Sequence, residues 1–213
     1  MLFRSDVRGN LYDCGFVQDI DGNLKVTSGE KPEDHSDIER LLDVAQTADR
    51  TNRWTRLQSV LDVDRFITLV ALDVMVCNWD GYAMNRNNYR IFHDRSTDRL
   101  VFMPHGMDQM FWQPRSSMRP NFEGQVARFL FSAPGMQAQL DDRLARLMAE
   151  TITVAVVTST IQGALARVEP ALKDRPDDLR NLKFHAGEFQ AKVLDRIRFL
   201  QEGVLGSSTG SRH

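Results

Sequence analysis

The sequence predicts an α+β chain, mostly helical, with one inserted β-hairpin. Three observations predict this class. Apolar residues recur at helical spacing over 36–48, 62–77 and most of 124–205. Two short β-prone runs, 89–93 and 100–103, flank the polar turn segment 94–99. Aperiodic polar loops, 78–88 and 104–120, lie on either side of that strand pair.

In chain order, residues 1–35 read as a strand-and-turn segment punctuated by Gly and Asp. Asp21-Gly22-Asn23 suggests a small hairpin between Phe16-Val17 and 24–26. Ser36-Asp37-Ile38-Glu39 has the capping-box pattern, with Ile38, Leu41, Leu42 and Ala45 following on one helical face. The next helix, 62–77, places Val63, Phe66, Ile67, Val70, Val74 and Met75 together. After the loop–hairpin–loop stretch come helices, with breaks near 133–135, 169–170 and 175–176. Residues 36–205 therefore read as one helical lobe, and 206–213, rich in Gly and Ser, as a disordered tail.

The 213 residues are 26% charged and 42% hydrophobic, the composition of a globular domain that builds its own core. Lys and Arg number 27 against 29 Asp and Glu, a net charge of −2, which argues against a sequence-independent grip on nucleic acid. Cys14 and Cys77 lack metal-ligand spacing, and Cys77 lies in the apolar run 74–77 as a buried small residue. The longest aliphatic stretch, 151–161, is shorter than the about 20 residues of a membrane span. Arg4, Asp6 and Arg8 precede any apolar run, so no signal peptide pattern opens the chain.

The chemistry concentrates around the hairpin. Antiparallel pairing of 89–93 with 100–103 makes the loop ending at Asn88 and the loop starting at Pro104 leave from the same end, with adjacent chains about 5 Å apart. Asp80, Asn85, Asn87 and Asn88 are thereby expected near His105 and Asp108. Two carboxylates with carboxamide oxygens suit a hard divalent cation such as Mg²⁺, which takes one or two carboxylates, water and phosphate oxygens. An Asp, a nearby Asn, a strand pair and a second Asp is also the order of kinase-type phosphoryl transfer.

The motifs Trp79-Asp80-Gly81-Tyr82, Asn87-Asn88-Tyr89 and Phe102-Met103-Pro104-His105-Gly106-Met107-Asp108 resemble the signature of the spore coat protein H (CotH) kinase family, as does Val63-Asp64-Arg65-Phe66 before them. The similarity extends over about 9–150. It implies the C-terminal lobe of an atypical protein-kinase-like fold, with the hairpin carrying the active-site loops. It implies Asp80 as the catalytic acid and Asn88 and Asp108 as metal ligands. Asn85, at the ordinary kinase Asp-to-Asn spacing, competes for that assignment, with Asn87 and His105 as further candidates. The implied cofactors are Mg²⁺ or Mn²⁺ with ATP as donor. The implied partner is a protein carrying Ser or Thr, in a spore coat or a secreted or envelope setting. No glycine-rich phosphate loop precedes residue 60, so 1–35 is expected to join a small lobe that is missing or reduced. A catalytically silent coat or envelope protein on the same scaffold is the alternative.

Other features have plainer expectations. Trp79, Phe111 and Trp112 are expected to pack; Arg115, Arg119 and Arg128 to form a solvated basic face. The stripes 140–147 and 189–199 are expected to face the core, and Asp141-Asp142 to complement a helix start.

Overall fold

The computed structural model describes residues 8–46 and 53–209. Four strands form one antiparallel sheet in the order β2-β1-β3-β4: β1 (Leu11–Asp13), β2 (Lys25–Ser28), β3 (Tyr89–Asp94) and β4 (Arg99–Pro104). The predicted hairpin forms with Tyr89 opposite Pro104 and Asp94 opposite Arg99. The N-terminal hairpin does not involve Phe16-Val17. Phe16 is 88% exposed, and the strand that pairs with β2 is β1 instead. The physical reason is burial: Tyr12 on β1 has a core side to face, between β2 and Ile91 of β3.

Helices α1 (Ser36–Gln46), α2 (Arg53–Val60) and α3 (Val63–Met75) follow β2. The Asp34 carboxylate accepts from the Ser36 amide, so the acid before Ser36 serves the first turn of α1. Asp62 caps α3 by accepting from the Arg65 amide, 3.0 Å. Leu61 and Asp62 also bridge to Leu100 of β4, which fixes the start of α3 on the sheet. The short α2 and the single turn α4 (Tyr82–Asn85), inside a loop without period, were not foreseen.

The core lies between the sheet and α3. Phe66 of α3, Tyr82, Tyr89 and Phe102 form an aromatic cluster with ring centroids 4.6–6.0 Å apart. Helices α5 (Gln125–Phe131) and α6 (Met136–Glu150) close its other side through Val126, Leu130, Leu140 and Leu144. Arg143 of α6 bonds Thr68 and Asp64 of α3, welding the two helices.

Beyond a break at 151–153 come α7 (Val154–Val168), a 3-10 turn (Glu169–Leu172) and α8 (Pro176–Thr209). Helix α8 runs into the segment expected as a tail. Two packing expectations fail. Trp79 and Trp112 are 49% and 66% exposed, and only Phe111 of the three aromatics is buried. In the 189–199 stripe, Val193 and Ile197 are buried while Phe189 is 41% exposed. Arg115 and Arg119 are exposed but paired, with Asp195 and Asp141. Helix α6 begins at Met136, so Asp141 stands in its second turn and serves Arg119 rather than the helix start. Cys14 and Cys77 are both free thiols.

Candidate active site

Helix α3 stops at Met75 because the chain turns left-handed at Cys77, φ 53°. The Asn78 amide then bonds back to the Asp73 carbonyl, 2.8 Å, and the Asn78 side chain donates to Asp73 Oδ1, 2.7 Å. Gly81 begins α4, whose one turn ends at Arg86 in the left-handed region, φ 55°. That turn brings the chain back on itself, so the side chains after it meet the residue before it.

The residue they meet is Asp80. Its carboxylate accepts from Asn85 Nδ2 on Oδ1 (2.6 Å) and from Asn88 Nδ2 on Oδ2 (2.7 Å). Asn87 Nδ2 spans both oxygens at 3.2 Å each. Three amides thus fill about the four acceptor positions a carboxylate offers. Because the carboxylate accepts and cannot donate, each Asn must turn its nitrogen inward and its carbonyl oxygen outward. For Asn88, itself left-handed at φ 50°, the outward oxygen lies against Gly106. A Cβ on Gly106 would stand 2.7 Å from that oxygen, and Gly106 also has φ +59°, so the 105–108 loop reaches Asn88 only with glycine here.

Two backbone bonds strap this second loop to the first. His105 N donates to Asn88 O (2.9 Å), and Phe111 N donates to Val76 O (2.8 Å). Asp108 lies between the straps, exposed, with Gln109 Nε2 on its Oδ2 at 3.0 Å. The structure therefore brings Asp80, Asn85, Asn87 and Asn88 into direct contact. It joins His105 through its main chain, with the residue exposed, and gives the Asp108 carboxylate Gln109 as its side-chain hydrogen-bond partner. Among the described residues, no Lys, Arg or His pairs with Asp80 or Asp108. Nor, among the described residues, do three His, Cys, Asp or Glu side chains gather as a metal-binding group. The oxygens on offer are those of carboxylates and carboxamides, which are hard ligands.

Two residues of the neighbourhood went unnoticed in the sequence. Asp73 is 1% exposed, and burial pushes its carboxyl up to about 7 despite the bond from Asn78. Its signal was an acid inside an apolar helical run. Arg196 of α8, also 1% exposed, bonds only main-chain carbonyls: Val74 and Met75 at the end of α3, Pro114 and Ser116 in the loop beyond Asp108. It ties three segments behind the site. A cavity of about 260 Å³ is lined by Asp73, Trp79, Met84, Asn85, Ser116 and Asn121 among others; Asp80 is not part of its lining.

No curated protein matches this chain. A family model described as "CotH kinase protein" matches residues 5–202. That match takes in the sheet, the Asp80 loop, the Asp108 loop and the helices behind them, and this protein is a member of the CotH kinase family.

Proposed function

We propose that the chain is the catalytic lobe of an atypical kinase that transfers the γ-phosphoryl group of ATP to Ser or Thr hydroxyls of a protein. Membership of the family points to a kinase-type function; the residue roles and the acceptor are the part proposed. The observation that carries the assignment is Asp80: a carboxylate wrapped by three amides, with no cationic partner among the described residues, next to a loop bearing a second acid, Asp108.

In this mechanism Asp80 accepts the hydroxyl proton as the new O–P bond forms and the bond to the ADP oxygen breaks. Asn85 and Asn88 hold the carboxylate through its short bonds. Asn87, at 3.2 Å to both oxygens, has the contact that yields most readily to an incoming hydroxyl. The Asn88 oxygen and the Asp108 carboxylate suit Mg²⁺ or Mn²⁺, with Asn85 the competing ligand. When bound, such an ion neutralises charge on the phosphates. Gly106 keeps the Asn88 oxygen and the Asp108 loop in reach of one another. Residues 1–35 then form the joint to a smaller nucleotide-gripping lobe, and the natural setting is a coat, secreted or envelope assembly.

The test is a thermal-shift titration with Mg²⁺ and ATP, alone and together, beside a transfer assay with labelled ATP. Wild type should gain stability only with both ligands, since a ligand that binds the native state raises it. Asp108→Asn should lose that gain while its ligand-free midpoint is unchanged or slightly higher. Ligand-independent unfolding of Asp108→Asn would make Asp108 structural, and full transfer by the variant would remove it from the site.

A silent scaffold is the second reading, and one observation favours it. No residue of α7 is buried, residues 151–166 carry no charge, and Val154, Val156 and Phe184 are exposed. Absence of both transfer and the joint Mg²⁺–ATP shift would select it.

A further inference from the structure

We propose that Asp73 is a positioning residue: through Asn78 and Gly81 it sets the loop that presents Asp80. Both chain neighbours that flank the Trp79–Asp80 pair rest on this one carboxyl. On the N-terminal side, Asn78 is 1% exposed and donates its side-chain nitrogen to the Asp73 carboxylate, while its backbone amide goes to the Asp73 main-chain carbonyl. The Asn78 side-chain oxygen is buried without a partner, so the Asp73 bond is what anchors this side chain. On the C-terminal side, Gly81 packs so closely that a Cβ would stand 2.5 Å from Asp73 Oδ2 and 3.1 Å from Asn78 Nδ2. Gly81 also opens α4, the turn that returns Asn85 to Asp80.

Asp73 is an expensive choice for a helix face otherwise filled by Phe66, Ile67, Val70 and Val74, because burial opposes its charge. An apolar residue there would pack without that cost. It would keep the main-chain bond to the Asn78 amide but leave the buried Asn78 side chain without an acceptor, and the turn between α3 and α4 would lose that side-chain support. Asp73 acts through the loop: its carboxylate bonds Asn78, whereas Asp80 is bonded by Asn85, Asn87 and Asn88.

The kinetic part of the test rests on the proposed kinase activity; the spectroscopic part does not. Trp79 lies between Asn78 and Asp80, half exposed, so its emission reports the loop once Trp54 and Trp112 are replaced by Phe. In that background Asp73→Asn, which keeps an acceptor oxygen for Asn78, should leave the emission and kcat within about threefold of the parent. Asp73→Leu should shift the emission and lower kcat at least about tenfold at unchanged KM for ATP, with thermal stability kept or raised. Gly81→Ala should also lower kcat about tenfold. In the Asp73→Ala background it should add little, because the carboxylate it collides with is gone.

Additive effects of Asp73→Ala and Gly81→Ala on both readouts would overturn the proposal. So would an unshifted Trp79 in Asp73→Leu, or a loss of stability that accounts for its loss of activity. If Asp73→Leu does not fold, the Ala–Ala pair decides alone. If no variant and no parent transfers phosphate, the kinase assignment fails, while the Trp79 emission still decides whether Asp73 sets the loop.

Discussion

At the closed end of the β3–β4 hairpin, Asp98 takes two bonds from Arg40 at 2.9 Å, and His93 donates to Asp98 at 2.8 Å and to Asp37 at 3.1 Å. Tyr12 completes Asp37 at 2.6 Å. At the open end, about six residues away along each strand, Asp80 is bonded just as fully but only by amides, and Asp108 by one glutamine. Among the described residues, the acids of the closed end are paired with cations and those of the open end are not. The Arg40 guanidinium, with His93 beside it, pulls Asp98 down to about 2, and Asp37 with Asp98 holds His93 above the usual imidazole range. A closed-end acid is therefore complete within the chain. The open-end acids are held by amides alone, with no cationic partner among the described residues.

That contrast can be broken most decisively by paired substitutions. Asp80→Asn should lower kcat by about 10³-fold or more, in the range expected for loss of a positioned proton acceptor, with little change in melting. Asp98→Asn, at the other end, should leave kcat unchanged. Equal effects of the two on activity, measured under saturating ATP and Mg²⁺, would erase the distinction.

The acid between the two regimes, Asp73, sharpens it through pH. Its folded-state value of about 7 lies above that of an unfolded carboxyl, so between about pH 4 and 7 the folded state binds the extra proton. Stability from this group consequently falls as pH rises across that window, by up to about 1.4 kcal/mol per unit. Asp73→Asn should flatten the fall and be more stable than wild type at pH 7.5, by a few kcal/mol at most. Denaturant melts at pH 5 and 7.5 check the sign; a variant less stable at the higher pH would show the carboxylate is wanted charged.

His93 should give the smallest effect, with the opposite residue type but the same direction. Its raised value means that its contribution is fully present below the unfolded imidazole value and disappears as pH rises through the folded one. Partial exposure and screening by salt keep the contribution to about 1 kcal/mol or less. His93→Gln should thus cost stability at pH 5.5 and little at pH 9, read from thermal midpoints, with transfer activity per folded molecule untouched.

Much of this was legible residue by residue. The hairpin followed from β-prone runs around 94–99, the start of α3 from Asp62, and the convergence of the Asn cluster on one hairpin end from antiparallel geometry alone. The motifs around Asp80, Asn88 and Asp108 led to the family that the match over 5–202 supports. These are short-range or motif signals, carried by neighbours in the chain.

What only the tertiary structure decided are partnerships across long separations. Tyr12 finds Ile91, and β1 rather than Phe16-Val17 becomes the strand, because a sheet edge was free to receive it. Trp79 and Trp112 stay exposed although both are apolar enough to bury. Asp73 and Arg196 sit among apolar residues, one meeting a loop amide and the other four main-chain carbonyls, none of which a helical period announces. Local pattern sets which element forms and which face is apolar. Which buried polar group finds a partner depends on atoms brought close by the whole fold, and at this site that decision determines how Asp80 is held.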